Sequence, residues 1–306
     1  MHSHGHDHAQ RGSRELTFAL IVNVTIMMAE IIGGLLSGSL ALLTDAGHML
    51  VDATALAIAL IAIRIARRPP DAHKTYGYHR AEILATLANG VLLAGLLLVL
   101  VVKATGRLLH PQTINPEMMT GVAFIGLLGN GFALVLLWRQ RHRSPNLRAA
   151  YLHVISDTLS SIGVIVAGLV ILWTGWHAAD PIATLIIAAF ILRQVWRLLA
   201  EAVNVLLEGA PGHLHTTEIR EQIAALPGVR GVHDLHITTH TSDTYVLTAH
   251  IVLDEEQSLA SALTTVAEIR NFLHDRHGIE HATIEIDTPR TSCMVREHCI
   301  CEFRKG

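Results

Sequence analysis

A chain of 306 residues with 51% hydrophobic and only 16% charged side chains, and a mean hydropathy of +0.41, is too apolar for an ordinary soluble protein of that length. Its formal net charge of -3, with His neutral, shows no basic excess, so nucleic acid is not expected as a partner. The 21 histidines point instead to transition-metal handling, because neutral imidazole is a ligand for zinc, copper and nickel.

The chain opens on His2 to His8 followed by Arg11 and Arg14. That stretch is too polar for a cleaved signal peptide, so the first apolar segment is expected to stay in the protein. A spanning helix needs about 20 mostly apolar residues, and six segments meet that length. They run from Leu16 to Leu36, Leu40 to Ile65, Ile83 to Leu109, Met118 to Trp138, Ala149 to Trp173 and Ile182 to Leu206. Short Pro- and Gly-bearing connections such as Ser37-Gly38-Ser39, Pro69-Pro70 and Ser144-Pro145 separate them. Arg64, Arg67, Arg68, Lys74, Arg80, Arg139, Arg141, Arg143 and Arg148 join the N-terminal arginines on one side, while the other carries chiefly Lys103 and Arg107. Positive loops stay inside, which predicts a multi-pass protein of the cell (inner) membrane with both termini cytoplasmic.

After Glu208-Gly209-Ala210-Pro211-Gly212 the apolar density drops. Ile219, Ile223 and Leu226 form a helical stripe, Val229 to His240 and Tyr245 to Asp254 read as strands, Leu259 to Asp275 as a helix and His281 to Thr288 as a strand. This order is α-β-β-α-β. Tyr245, Leu247, Ala249, Ile251 and Leu253 should share a core face, leaving His250 on the other; Ala282, Ile284 and Ile286 should face in, leaving Glu285 and Asp287 out. The fold class is therefore a membrane all-α six-helix domain followed by a cytoplasmic α+β domain. The expected division is a His-rich tail over 1–13, the helical domain over 14–208, a cytoplasmic metal-binding domain over 209–290 and a Cys/His tail over 291–306.

Ionisable residues inside spanning helices are costly and are functional candidates. The second segment carries His48 and Asp52 and the fifth carries His153 and Asp157, each pair four residues apart and so on one helix face. Two imidazole nitrogens and two carboxylate oxygens make a tetrahedral zinc shell. Two aspartates neutralise one divalent cation, which limits the cost of holding it in a medium that penalises charge. A proton competes with metal for the imidazole nitrogen, so protons are the expected counter-substrate of an antiporter. Gly33, Gly34, Gly38, Gly163, Ala167 and Gly168 would allow helices to pack closely and adjust.

Cys293, Cys299 and Cys301 fall in the last fourteen residues, an odd and clustered set that cannot staple a fold. Cys299-x-Cys301 beside His298 is a dense group of soft ligands.

Taken together, Ser39 to Asp52, Tyr76-Gly77-Tyr78-His79-Arg80-Ala81-Glu82-Ile83-Leu84, Tyr151 to Gly168, Asp180-Pro181-Ile182, Leu206 to Pro211 and Val232-His233-Asp234-Leu235-His236-Ile237 resemble the cation diffusion facilitator transporters. The resemblance covers nearly the whole chain and is similar in detail to bacterial zinc exporters and animal vesicular zinc transporters. It implies a homodimer whose protomers carry six helices and a ferredoxin-like cytoplasmic domain, exchanging Zn2+ for protons through His48, Asp52, His153 and Asp157. His in the second-helix pair resembles zinc-selective members; cadmium, cobalt and nickel stay open as cargo. It also implies cytoplasmic metal ligands at His233, His250 and Asp287, with His236 and Glu285 nearby, and a tail site from Cys299 and Cys301 with Cys293 and His298, helped by His2, His4, His6 and His8. Thr238 stands where many members have Trp, and Lys74 where some have a metal-binding His. A metal site in that loop from Asp71, His73 and His79 competes with the reading of these residues as surface polar groups.

Two other classes compete. An intramembrane metal-dependent hydrolase needs an open coordination position for water, and no His-Glu-x-x-His occurs. A membrane-anchored zinc sensor or storage protein has no need of charged pairs within its anchor.

Overall fold

The computed structural model describes residues 4–138, 145–240 and 244–289, without the side chains of residues 4–20, 145–147, 149 and 150. Six helices come first: α1 (His4–Ser37), α2 (Leu40–Ala66), α3 (Arg80–Leu109), α4 (Pro116–Trp138), α5 (Pro145–Thr174) and α6 (Ala179–Leu206). Five of them, α2 to α6, are long and apolar enough to cross a membrane, and α1 adds the shorter apolar stretch Ile21–Ser37. At a rise of about 1.5 Å per residue, even the 23-residue α4 exceeds a hydrocarbon layer about 30 Å thick. This is a helical transmembrane domain.

The ends follow from local chemistry. Gly38 and Gly175 adopt φ of 74° and 68°, a left-handed turn that closes α1 and α5 where a side chain would be strained. Pro116 opens α4 behind Asn115, whose Oδ1 accepts from the Met118 N–H at 3.0 Å. The start of α2 is held from afar, for the Asp180 carboxylate accepts from the Leu40 N–H at 2.9 Å, the Ala41 N–H at 3.1 Å and the Ser39 hydroxyl. Arg107 donates to the Gly38 carbonyl and lies 3.8 Å from Asp180. A cation on the otherwise charge-poor side thereby has a structural partner.

The clustering of contacts divides the chain into two units, residues 1–60 with 88–199, and residues 61–87 with 200–306. In the first, polarity is inverted relative to a soluble protein. Val135, Leu128 and Ile125 are exposed, whereas Glu30, Asp45, His48, Asn130, Asp157 and Asp180 are buried. Lipid as the surrounding solvent accounts for both. Close helix approach depends on glycine: a Cβ on Gly33 would stand 2.6 Å from Val122, and one on Gly168 would strike Thr120. Two of the small residues expected to ease packing are thus at contacts between neighbouring helices.

The second unit contains α7 (Thr216–Ala224), β1 (Val229–Thr239), β2 (Tyr245–Leu253), α8 (Leu259–His277) and β3 (His281–Asp287). β2 is central, antiparallel to β1 and parallel to β3, in the α-β-β-α-β order expected of a ferredoxin-like domain. Ile219 and Ile223 of α7, Ile269 and Leu273 of α8, and Leu247, Ala249, Ile251 and Leu253 of β2 form one buried cluster. Ser258 caps α8 by accepting from the Ser261 N–H, and Gly278 at φ 64° ends it.

β3 departs from simple alternation. Ala282 and Ile284 are half-buried as expected, but Ile286 is exposed and Asp287 is buried. Asp287, the last residue of β3, is covered by its contacts with the rings of His233 and His250.

Candidate metal centres

The helical repeat brings His48 and Asp52 to one face of α2, and His153 and Asp157 to one face of α5. His48 Nε2 stands 3.5 Å from Asp52 Oδ2, His153 Nε2 3.6 Å from that same oxygen, and His153 Nε2 3.5 Å from Asp157 Oδ2. The rings of His48 and His153 are edge to face with centroids 6.0 Å apart. Donor atoms of His48, His153 and Asp157 all lie within 4.8 Å of one another. Ligands about 2.0–2.1 Å from a tetrahedral zinc ion stand roughly 3.3–3.4 Å apart, close to the spacing of these pairs.

The hydrogen bonding points the same way. Both ring nitrogens of His48, both carboxylate oxygens of Asp157 and Oδ2 of Asp52 are buried without a hydrogen-bond partner. Buried polar atoms are ordinarily satisfied, because an unmet one carries a desolvation penalty. Lone pairs that converge without bonding one another suit a cation between them.

A second cluster lies on the sheet. His233 and His250 face each other across the β1–β2 ladder, with ring centroids 5.1 Å apart. Asp287 Oδ2 is 3.1 Å from His233 Nε2 and 3.3 Å from His250 Nδ1. Two imidazoles and one carboxylate fit zinc with a fourth position left for another ligand. The candidates His236 and Glu285 fall at its edge: His236 Nε2 reaches Asp234 Oδ1 at 3.3 Å, and Glu285 Oε2 lies 3.5 Å from His250 Nε2. Asp234 itself stands in an irregularity of the β1–β2 register with φ of 49°, and its other oxygen lies 3.6 Å from His250 Nε2. A bulge re-aims side chains in this way.

The loop after α2 arranges its candidates differently. Asp71 accepts from the N–H groups of His73 at 2.7 Å and Lys74 at 2.8 Å, and from the Tyr78 hydroxyl at 2.6 Å. These bonds, the Tyr78 hydroxyl first, hold the exposed carboxyl below the usual range. Asp71 therefore serves the turn. His79 packs its ring edge on to His240, with centroids 5.6 Å apart. His2, Cys293, His298, Cys299 and Cys301 lie outside the described residues, as do the side chains of His4, His6 and His8.

Two buried acids were not singled out from the sequence, Glu30 of α1 and Asp45 of α2, each only 1% exposed. The signal was available, since each is an ionisable residue in an apolar segment. The repeated His-x-x-x-Asp spacing was simply the stronger pattern.

Comparison with known proteins places this geometry in context. A cation efflux transmembrane domain matches residues 16–207, and a cation efflux protein cytoplasmic domain matches residues 211–289. The metal cation efflux system protein CzcD of Cupriavidus metallidurans is 41% identical over 284 residues, covering 93% of this chain and 89% of that protein. The zinc transporter ZitB of Escherichia coli is 39% identical over 295 residues, covering 94% and 92%. A cadmium, cobalt and zinc/H(+)-K(+) antiporter of Bacillus velezensis is 38% identical over 288 residues, covering 93% and 92%. With both family domains in order and such relatives aligned along nearly its whole length, the chain belongs to the cation efflux, or cation diffusion facilitator, family.

Proposed function

We propose that this protein exports divalent transition-metal cations, zinc foremost and cadmium, cobalt or nickel as further cargo, from the cytoplasm in exchange for protons. The observation that carries the reading is the group of buried, unbonded donors of His48, Asp52 and Asp157, with His153 completing it, on two helices within an apolar domain. The names of the relatives support metal as cargo.

The chemistry of the donors supplies a cycle. When the site faces the cytoplasm, neutral His48 and His153 offer nitrogen lone pairs, and the two aspartates balance the charge of the ion. When it faces outward, protons compete for the same imidazole nitrogens and displace the metal. Loss of those protons toward the cytoplasm restores the ligand set. Glycine contacts such as Gly33 on Val122 let the helices approach closely, which suits a rocking motion.

The same reading makes the protein a homodimer of the bacterial inner membrane with both termini cytoplasmic. His233, His250 and Asp287 would hold a metal ion that tunes activity, with the N-terminal histidines, Cys299 and Cys301 as a second cytoplasmic group. Zinc flux into proteoliposomes under an imposed pH gradient tests it, comparing the unmodified protein with Asp52→Ala. Gradient-dependent flux abolished by the substitution is expected. Equal flux in both would refute the site, and tight zinc binding without flux in either would favour a sensor.

A further inference from the structure

The mechanism above leaves Glu30 and Asp45 unused, although each is 1% exposed in a domain where burying charge is costly. They come from different helices, α1 and α2, yet both reach the neighbourhood of Ser161 on α5 and Gly126 on α4. Glu30 Oε2 and Asp45 Oδ1 are buried without a hydrogen-bond partner, and neither residue makes an ion pair among the described residues.

The surroundings add a further oxygen donor. Ser161 of α5 donates to Asp45 Oδ2 at 3.4 Å. Across from it α4 presents Gly126, where a Cβ would stand 2.8 Å from Glu30 Oε1 and 3.8 Å from Ser161 Oγ. A side chain at position 126 would collide with the acid, and glycine lets the Glu30 carboxylate approach α4 beside the Ser161 hydroxyl. Side-chain oxygens from α1, α2 and α5 thus gather beside Gly126 of α4. Asp45 precedes His48 by one helical turn toward the α1–α2 connection, and Ser161 follows Asp157 by one turn on α5.

We propose that Glu30 and Asp45, with Ser161, form a second divalent-cation station, one turn beyond the His48–Asp52–His153–Asp157 site. Two carboxylates match the charge of one divalent ion. An all-oxygen donor set holds zinc less tightly than imidazole does and suits Mn2+ better. A weaker station next to a stronger one is what a released ion needs, because it accepts the ion without trapping it. Placing it on the exit side rests on the export reading; its existence as a binding site does not.

The test is a count of bound Mn2+ and Zn2+ per protomer on the purified full chain, for the unmodified protein and the Glu30→Gln/Asp45→Asn double variant. Loss of one Mn2+ per protomer in the variant is expected, with the zinc bound at the His-Asp site retained. An unchanged count overturns the station, including the case in which flux falls and binding does not. Glu30→Gln alone should weaken the same ion at least tenfold and Glu30→Asp less, and full affinity in both overturns the station even if the double variant misfolds. In proteoliposomes the Glu30→Gln variant should export zinc at least tenfold more slowly. If the unmodified protein moves no zinc, the export reading fails while the binding count still decides the station.

Discussion

The two histidine–aspartate clusters use the same donors on opposite kinds of support. In the membrane, the pairs ride on separate helices, α2 and α5, and His48 and Asp157 leave their polar atoms unbonded. On the sheet, His233 and His250 are fixed opposite each other by the β1–β2 ladder, and Asp287 lies within 3.1 Å of one ring and 3.3 Å of the other. Ligands on helices can part when the helices move, while ligands on one hydrogen-bonded sheet cannot part without breaking it. The first arrangement suits a cargo that must leave, and the second an ion that stays.

The largest effect should come from removing a proposed ligand of the helix-borne cluster. Asp157→Asn leaves the shape and deletes the charge, and zinc flux in proteoliposomes is expected to fall at least about 100-fold, beyond the roughly 10–100-fold that outer-shell substitutions cost. Normal flux would end the claim that this cluster carries the cargo. The sheet cluster should behave in the opposite way. His250→Ala with Asp287→Ala should abolish zinc binding at the sheet, read by calorimetry, yet change the maximal flux less than about 5-fold, the low end of ordinary coupling between sites. Complete loss of flux would erase the distinction between the two clusters.

A smaller effect probes what positions the helix-borne cluster. Asp180 caps α2, the helix that carries His48 and Asp52. Asp180→Asn removes the charge facing Arg107, whose side chain is 20% exposed, and discounting a fully buried pair for that solvent access gives a loss of about 2 kcal/mol. A lowered melting temperature checks it, and no change would mean that the charge facing Arg107 is dispensable.

The smallest effect belongs to His277 at the end of α8. Burial, and then Arg276, push its pKa below 6.5 against the opposing pull of Glu218. A depressed histidine favours folding when neutral, so this contribution is present above its ordinary value and lost as pH falls through the folded one. His277→Gln should therefore make amide exchange in α8 of the full chain slightly less sensitive to acid below pH 6.5. An unchanged pH profile would contradict the assignment.

Much of this was legible in the sequence because membranes impose long apolar runs, and because His48, Asp52, His153 and Asp157 repeat one spacing. Period-two alternation likewise marked the core face of β2 from Tyr245 to Leu253. Alternation failed at Ile286 and Asp287, since it records which face a residue occupies and not what covers that face. The part played by Asp180 in capping α2 was hidden because its partners lie about 140 positions away, at Ser39, Leu40 and Ala41. No local pattern encodes such a contact. Glu30 was readable as a charge in an apolar helix, but its proximity to Asp45 and Gly126 needed the packing of α1 against α4.

Proton movement driven by zinc tests the central claim most directly. A zinc gradient imposed across proteoliposomes loaded with a pH-sensitive dye should drive protons in the opposite direction in the unmodified protein and not in the Asp157→Asn variant. Zinc crossing the membrane with no accompanying proton flux would contradict exchange at the imidazole nitrogens of His48 and His153.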